Sequence, residues 1–218
     1  MTRQVPMPGF RLLTACAALV AVAFATPAVA QTSTGDITRA LQPKAPAAGL
    51  TRSLGVQPAN PKAEAEKQFI NRLRTRSISI EPVGAPTQEE RVEIAAIAKD
   101  KPAIDLEILF DYNSDIVGPK AVPALVQLGN ALAQAEFKGT VFLINGHTDA
   151  AGSPEYNQGL SQRRAQAVRR TLIEQYKIAP DTLIATGFGK EQLKTPHDPL
   201  SGANRRVQIV NTTVTAGR

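Results

Sequence analysis

From residue 103 to residue 214 the apolar positions alternate between strand-like runs and helix-like stripes. Ile104 to Phe110 reads as a strand. After the polar turn Asp111-Tyr112-Asn113-Ser114-Asp115, Leu125, Leu128 and Leu132 fall at helical spacing. That helix is expected to start near Ala121, because Pro119 suits a first turn whereas Pro123 would lie too deep in a helix begun that early. Val141 to Gly146 is a second strand, followed by a loop punctuated by Gly152 and Pro154 and by a helix carrying Leu160, Val168, Leu172 and Tyr176. Asp181 to Phe188 reads as a third strand, and Arg205 to Thr213 alternates as a fourth. Strands separated by helices imply right-handed crossovers and a fold of α/β (α+β) class, a βαβαββ sandwich of a mixed sheet with helices packed on it. Ligands of such sheets gather at strand carboxyl ends, where the loops Asp111 to Asp115 and His147 to Pro154 both lie.

The half before residue 103 is less regular. Lys62 to Arg74 has Phe69, Ile70 and Leu73 on one helical side, and Ser77 to Ile80 alternates as a strand would. Pro82, Gly84 and Pro86 break the chain, after which Thr87 and Glu90 form a capping box for a helix over Gln88 to Lys99 with Ile94, Ile97 and Ala98 inward. Residues 31–61 are rich in Pro, Ala, Gly, Thr and Ser, with only a scrap of helical pattern at Ile37 to Leu41, and read as a flexible tether. A membrane barrel of eight strands needs about ten alternating residues in each, which Gln31 to Pro102 cannot hold. The expected division is therefore a leader over 1–30, a tether over 31–61, a helical and extended segment over 62–102 and one domain over 103–214.

The leader changes the chemistry that remains. A basic start, the apolar run Leu12 to Ala25 and the small-residue Ala28-Val29-Ala30 have the three parts of a secretory signal peptide, and the apolar run is short for a membrane span. Leu13-Thr14-Ala15-Cys16 loosely resembles a lipoprotein cleavage site, but Arg11 leaves almost no apolar stretch before Cys16. Cleavage after Ala30 removes the one cysteine, and with it any disulfide or thiolate ligand. It also removes Arg3 and Arg11, leaving 23 basic residues against 19 acidic ones, a mild excess of +4. That excess suits solubility, or an anionic partner such as a cell-wall polymer or lipid headgroup.

The loop after Val141 to Gly146 holds an acid, Asp149, and the helix beyond it carries the adjacent bases Arg163 and Arg164. At about 100° per residue, Arg164 falls roughly 40° from Val168, at the margin of the apolar stripe, while Arg163 shares the opposite face with Arg170. A half-buried guanidinium needs a partner, and Asp149 is the nearest in sequence. A helix begun at Glu155 would place Arg164 about 14 Å along it and strain that contact. The expected start is therefore nearer Gln158, with Ser153 to Asn157 in the loop. An acid and a base at fixed separation can either tie loop to helix or hold a zwitterion, whose carboxylate the arginine fork grips with two parallel bonds.

Five stretches in order, FDYNS at 110–114, NGHTDAAG at 145–152, YNQGLSQRRAQAV at 156–168, GFGK at 187–190 and NRRVQI at 204–209, resemble the OmpA-like C-terminal domain. The resemblance covers roughly Ile104 to Asn211. It implies a periplasmic module, possible association with the outer membrane or another envelope protein, and non-covalent binding of peptidoglycan through the diaminopimelate of its stem peptide. On matching positions, Asp149 would meet the ligand's ammonium and Arg164 its carboxylate, with Asn113, Asn157, Arg205 and Thr148 lining the same pocket. Two departures stand out. Ser201 occupies a position where the family usually has arginine, and Gly159 one where helix formers are common.

Other chemistries find little footing. His147 and Asp149 are closely spaced, but the second histidine, His197, lies in a Pro-flanked loop, so no metal and no cofactor is expected. Gly187 to Lys190 lacks the length and hydroxyl partner of a phosphate loop and reads as a strand-end turn. Ser114 and Ser161 have no paired histidine, and Asp111, Asp115 and Asp149 do not form an evident catalytic pair, so an enzyme is not expected. Arg205 and Arg206 should point to opposite faces, with only one toward the pocket. Few aromatics are present for base stacking, and no nucleic-acid partner is expected. The leading reading is a wall-binding envelope module. The alternative is a structural or partner-binding envelope protein with an idle wall site.

Overall fold

The computed structural model describes residues 32–43, 61–79, 84–111 and 113–213. The expected leader with Cys16, the tether beyond Pro43, and residues Ile80 and Tyr112 lie outside them.

The elements are helices α1 (Thr34–Leu41), α2 (Pro61–Arg76) and α3 (Gln88–Ala98), strand β1 (Ala103–Leu106), helix α4 (Val122–Leu132), strand β2 (Phe142–Gly146), helix α5 (Pro154–Tyr176), and strands β3 (Leu183–Gly187) and β4 (Val207–Asn211). The sheet order is β1-β4-β2-β3, with β4 antiparallel to both neighbours and β2 parallel to β3. This is the mixed sheet that the βαβαββ pattern predicts.

Alternation along the strands gives the sheet two apolar faces. Phe142 and Ile144 with Leu183, Ala185, Val207 and Ile209 face α4 and α5. Leu143, Ile184 and Val210 face Phe69, Ile70 and Leu73 of α2 and Ile94 and Ile97 of α3. The boundary expected near residue 103 is thus crossed by a continuous core, because α2 and α3 bury their apolar sides on the domain's own sheet. The Thr87/Glu90 capping box forms as expected, and α4 starts directly after Ala121 with Pro123 still inside its first turn.

Three expectations are corrected. Thr34–Leu41, placed in the tether, is a helix with Ile37 and Leu41 fully buried against the α4 side of the sheet. Eight residues are too few for a self-standing helix. What holds α1 is a Ser33/Asp36 capping box, a hydrogen bond from Thr34 N–H to Gln127 (3.0 Å) and one from Asn211 to the Leu41 carbonyl (2.8 Å). Ser77 to Ser79 is a turn rather than a strand: Ser77 Oγ bonds back to the Leu73 carbonyl at 3.0 Å, closing α2. The first strand stops at Leu106 instead of reaching Phe110, since the chain then leaves the ladder to bury Ile108 and carry Phe110 toward α5.

Arg169 of α5 is 1% exposed. Its guanidinium donates to the carbonyls of Leu183 (2.8 Å), Ser77 (2.6 Å), Ser79 (2.9 Å) and Pro180 (3.0 Å). Gln162 accepts from Gly187 N–H (2.7 Å) and donates to the Ala185 carbonyl (3.2 Å). These two side chains of α5 occupy the outer main-chain groups of β3, an edge strand that would otherwise be free to pair with another chain.

Candidate functional site

The two polar loops and the first turns of α5 enclose an open cleft of about 520 Å³ at the carboxyl end of β2. All six residues singled out in the sequence, Asn113, Thr148, Asp149, Asn157, Arg164 and Arg205, line it. Their pairings differ from those expected.

Helix α5 begins at Pro154, not near Gln158. Ser153 caps it by accepting from Tyr156 N–H (3.1 Å), Pro154 supplies a preset first turn, and Gly159 is carried within the helix without a break. From the cap to Arg164 is then about 16 Å along the axis. The consequence drawn for such a start holds: Arg164 does not pair with Asp149. Its Nε donates to the Ser114 carbonyl at 3.0 Å and its Nη2 to the Asp111 carbonyl at 3.4 Å, and the guanidinium lies 5.0 Å from the centre of the Phe110 ring. Burial lowers its pKa below the usual value and nearby Arg205 adds to that, while Asp149 and Asp115 oppose it. Among the described residues no carboxylate forms an ion pair with Arg164. Arg163 faces solvent, 4.0 Å from Asp115.

Asp149 pairs instead with Arg205 Nη1 at 2.8 Å and accepts from Ala151 N–H at 3.2 Å. Arg206 turns the other way, to Asp105 at 3.3 Å, so the adjacent arginines divide between two faces as expected. Burial alone would raise the Asp105 carboxyl, but Lys194 at 2.9 Å together with Arg206 holds it below the usual range. Asn157 is 2% exposed and spends its amide on the Ala151 carbonyl (2.7 Å), which makes it a support of the 149–152 loop. Lys190 fastens the same loop through the Gly152 carbonyl (2.9 Å), and Gly152 takes the left-handed φ of +87° that the turn requires. Asn113 also sits at positive φ, +53°, which asparagine tolerates.

Sequence reasoning missed three contributors. Tyr156 donates to Asn113 Oδ1 and bridges helix and loop across the cleft mouth. Phe110 forms the floor beneath Arg164. Asn204, fully buried, accepts from Thr195 N–H (2.9 Å) and donates to the Asp198 and Pro199 carbonyls (3.0 and 3.2 Å), so it sets the loop that delivers Arg205. The shared motif stretches YNQ and NRR were the available signals. Near the unusual Ser201, the serine Oγ accepts from Ala203 N–H at 3.4 Å, in place of a long basic side chain.

His147 is a structural residue behind the cleft. It is 2% exposed and stacks on Phe188, with ring centres 5.5 Å apart and planes 12° from parallel. Among the described residues no group of three or more His, Cys, Asp or Glu could hold a metal ion. Burial, aided by the Arg206 charge, lowers the His147 pKa from 6.5 to about 3. Between those values the unfolded chain binds a proton that the folded one refuses. Its contribution to stability is therefore whole above pH 6.5 and declines as pH falls toward 3, by at most about 1.4 kcal/mol per pH unit. In denaturant titrations from about pH 7 to about pH 4, His147→Phe should lose less stability than the wild type, and parallel losses would refute this assignment.

The OmpA family model matches residues 109–206. The peptidoglycan-associated lipoprotein of Pseudomonas aeruginosa is 39% identical over 102 residues, 46% of this chain and 58% of that protein. Outer membrane porin F of Pseudomonas fluorescens is 33% identical over 107 residues, 48% of this chain and 32% of that protein. The chain thus spans less than two thirds of the length of either relative. The crystal structure of the peptidoglycan-associated lipoprotein from Burkholderia pseudomallei is 31% identical, with a TM-score of 0.41, and the match covers 48% of this chain and 87% of that one. Among the described residues no helix is long and apolar enough to cross a membrane.

Proposed function

Because residues 109–206 are a domain of the OmpA family, we propose that this cleft binds peptidoglycan without covalent attachment, holding the diaminopimelate of its stem peptide as a zwitterion. One observation carries the reading: a largely buried guanidinium, Arg164, sits in the cleft on a fixed seat of two carbonyls and an aromatic ring, and among the described residues no carboxylate is paired to it. Such a group has already given up most of its water, and a ligand carboxylate supplies the missing counter-charge. Asp149, which lines the same cleft, meets the ammonium. To do so it exchanges Arg205, an ion pair whose arginine is half exposed and which therefore contributes little by itself. Thr148 adds a buried hydroxyl that has no partner among the described residues. The names of the two peptidoglycan-associated lipoproteins point to the same polymer. The module works in the periplasm, beside the outer membrane, and is not catalytic.

A second reading, an envelope protein whose wall site is idle, draws on the Asp149–Arg205 pair, which occupies the acid in the free protein. Co-sedimentation with purified peptidoglycan separates the two. The wild type should pellet with the wall, and Asp149→Ala should bind about tenfold more weakly. Undiminished pelleting of the variant would remove Asp149 from the site, no pelleting of the wild type would overturn the function, and soluble muropeptides released over time would mean catalysis.

A further inference from the structure

A second cleft, of about 510 Å³, lies at the opposite pole of the sheet, where β2 begins and β4 ends. Five residues of β2, roughly 17 Å at strand rise, separate it from the wall-binding loop. One wall is α2, with α3 contributing Ile97. Both helices precede the residues that match the family, so this cleft joins the shared domain to the part of the chain outside that match.

Its floor is apolar: Ile70 and Ile97 are buried, and Val141 packs against them. Its rim is cationic. Lys67 stands on the α2 side and Lys138 on the loop before β2. The lining carboxylate, Glu66, is already taken by Lys101 at 3.3 Å, with both side chains largely buried. Among the described residues Lys67 pairs only with Glu64 of its own helix, where both groups are half exposed, and such a contact in water contributes little. Among the described residues the Lys138 ammonium makes no ion pair or side-chain hydrogen bond. Asn71, Thr140 and Thr213 complete the rim with amide and hydroxyl groups.

We propose that this cleft docks an acidic peptide segment of a partner protein, with an aliphatic side chain on the Ile70–Ile97–Val141 floor and flanking carboxylates on Lys67 and Lys138. Charge complementarity selects the sign of the partner, and the lysines on both sides of the floor select carboxylates that flank an apolar residue. A peptide suits the cleft better than a fatty acid, because the cleft is open to solvent and would leave an alkyl chain partly in water. Its distance from the wall-binding cleft allows both to be filled at once, so the protein can link peptidoglycan to a second component.

The test is an amide NMR titration of the full chain with three probes: a peptide alternating glutamate and leucine, its glutamine counterpart, and dodecanoate. The acidic peptide should shift amides at residues 66–71, 138–141 and 212–213 and leave 147–152 in place. Combined Lys67→Glu and Lys138→Glu, both at exposed positions, should weaken it about tenfold or more. Asp149→Ala should not change it, which keeps this result independent of wall binding. Equal binding of the glutamine peptide, tighter binding of dodecanoate, shifts confined to the wall-binding loop, or no shifts at about 1 mM peptide would each overturn the proposal.

Discussion

Replacing Arg164 with alanine is expected to lower affinity for a muropeptide containing diaminopimelate about a hundredfold, read by calorimetry. The magnitude follows from the seat of the side chain. The guanidinium is held by the Ser114 and Asp111 carbonyls over Phe110, with no carboxylate paired to it among the described residues, so the ligand meets a charge that is already ordered and partly desolvated. Arg164→Lys should recover only part of the loss, because a point charge cannot make two parallel bonds to a carboxylate or lie flat on the ring. Arg163→Ala, one residue earlier, should leave binding within about twofold, since that side chain faces solvent beside Asp115. If both alanine variants lose affinity equally, charge near the cleft rather than a defined seat is responsible.

The largest loss of stability is expected at Gly187. A methyl group there would overlap the main chain of Gln162 and the Ser161 hydroxyl, because α5 crosses the end of β3 in main-chain contact. Neither neighbour can yield cheaply. Ser161 Oγ accepts from Gly189 N–H at 2.8 Å, and Gln162 accepts from Gly187 N–H. Gly187→Ala should therefore cost about 3 kcal/mol or more in chemical denaturation, at the upper end for an overpacked core. Gly139→Ala tests the contrast. Nothing lies within 4 Å of a methyl there, so its cost should come from its positive φ of +78° alone, about 1 kcal/mol. Equal costs at the two sites would contradict the close approach of helix and strand.

Gly187 also shows what the sequence makes legible and what it does not. Its place at a strand end was readable from the apolar run before it, but the helix pressing on it was not, since nothing local records a contact between residues 25 positions apart. Between residues 103 and 213 strand and helix types followed from period. So did the burial of Arg164 against the exposure of Arg163, because both depend on spacing along one element. Membership of the cleft was readable through the ordered motifs, and all six residues named from them line it. Pairing inside the cleft was not. Asp149 was assigned to Arg164 by nearness in sequence, whereas the fold brings Arg205, 56 residues away, to within 2.8 Å. The later α5 start follows only if Asp149 and Arg164 touch, which they do not. Without that contact, Ser153 followed by Pro154 is an ordinary cap and first turn. Arg169 stayed hidden because a helical basic residue reads as solvated until four carbonyls from distant segments converge on it. The same limit applied to α1, whose short stripe has meaning only once α4 and β4 supply its partners.

A crystal soaked with diaminopimelate should show density in the cleft between the 147–152 loop and α5, with the ligand carboxylate on Arg164, its ammonium on Asp149, and Arg205 displaced from its present pair. Ligand bound elsewhere, or a cleft in which Asp149 keeps Arg205 and Arg164 gains no carboxylate at saturating diaminopimelate, would contradict this binding mode.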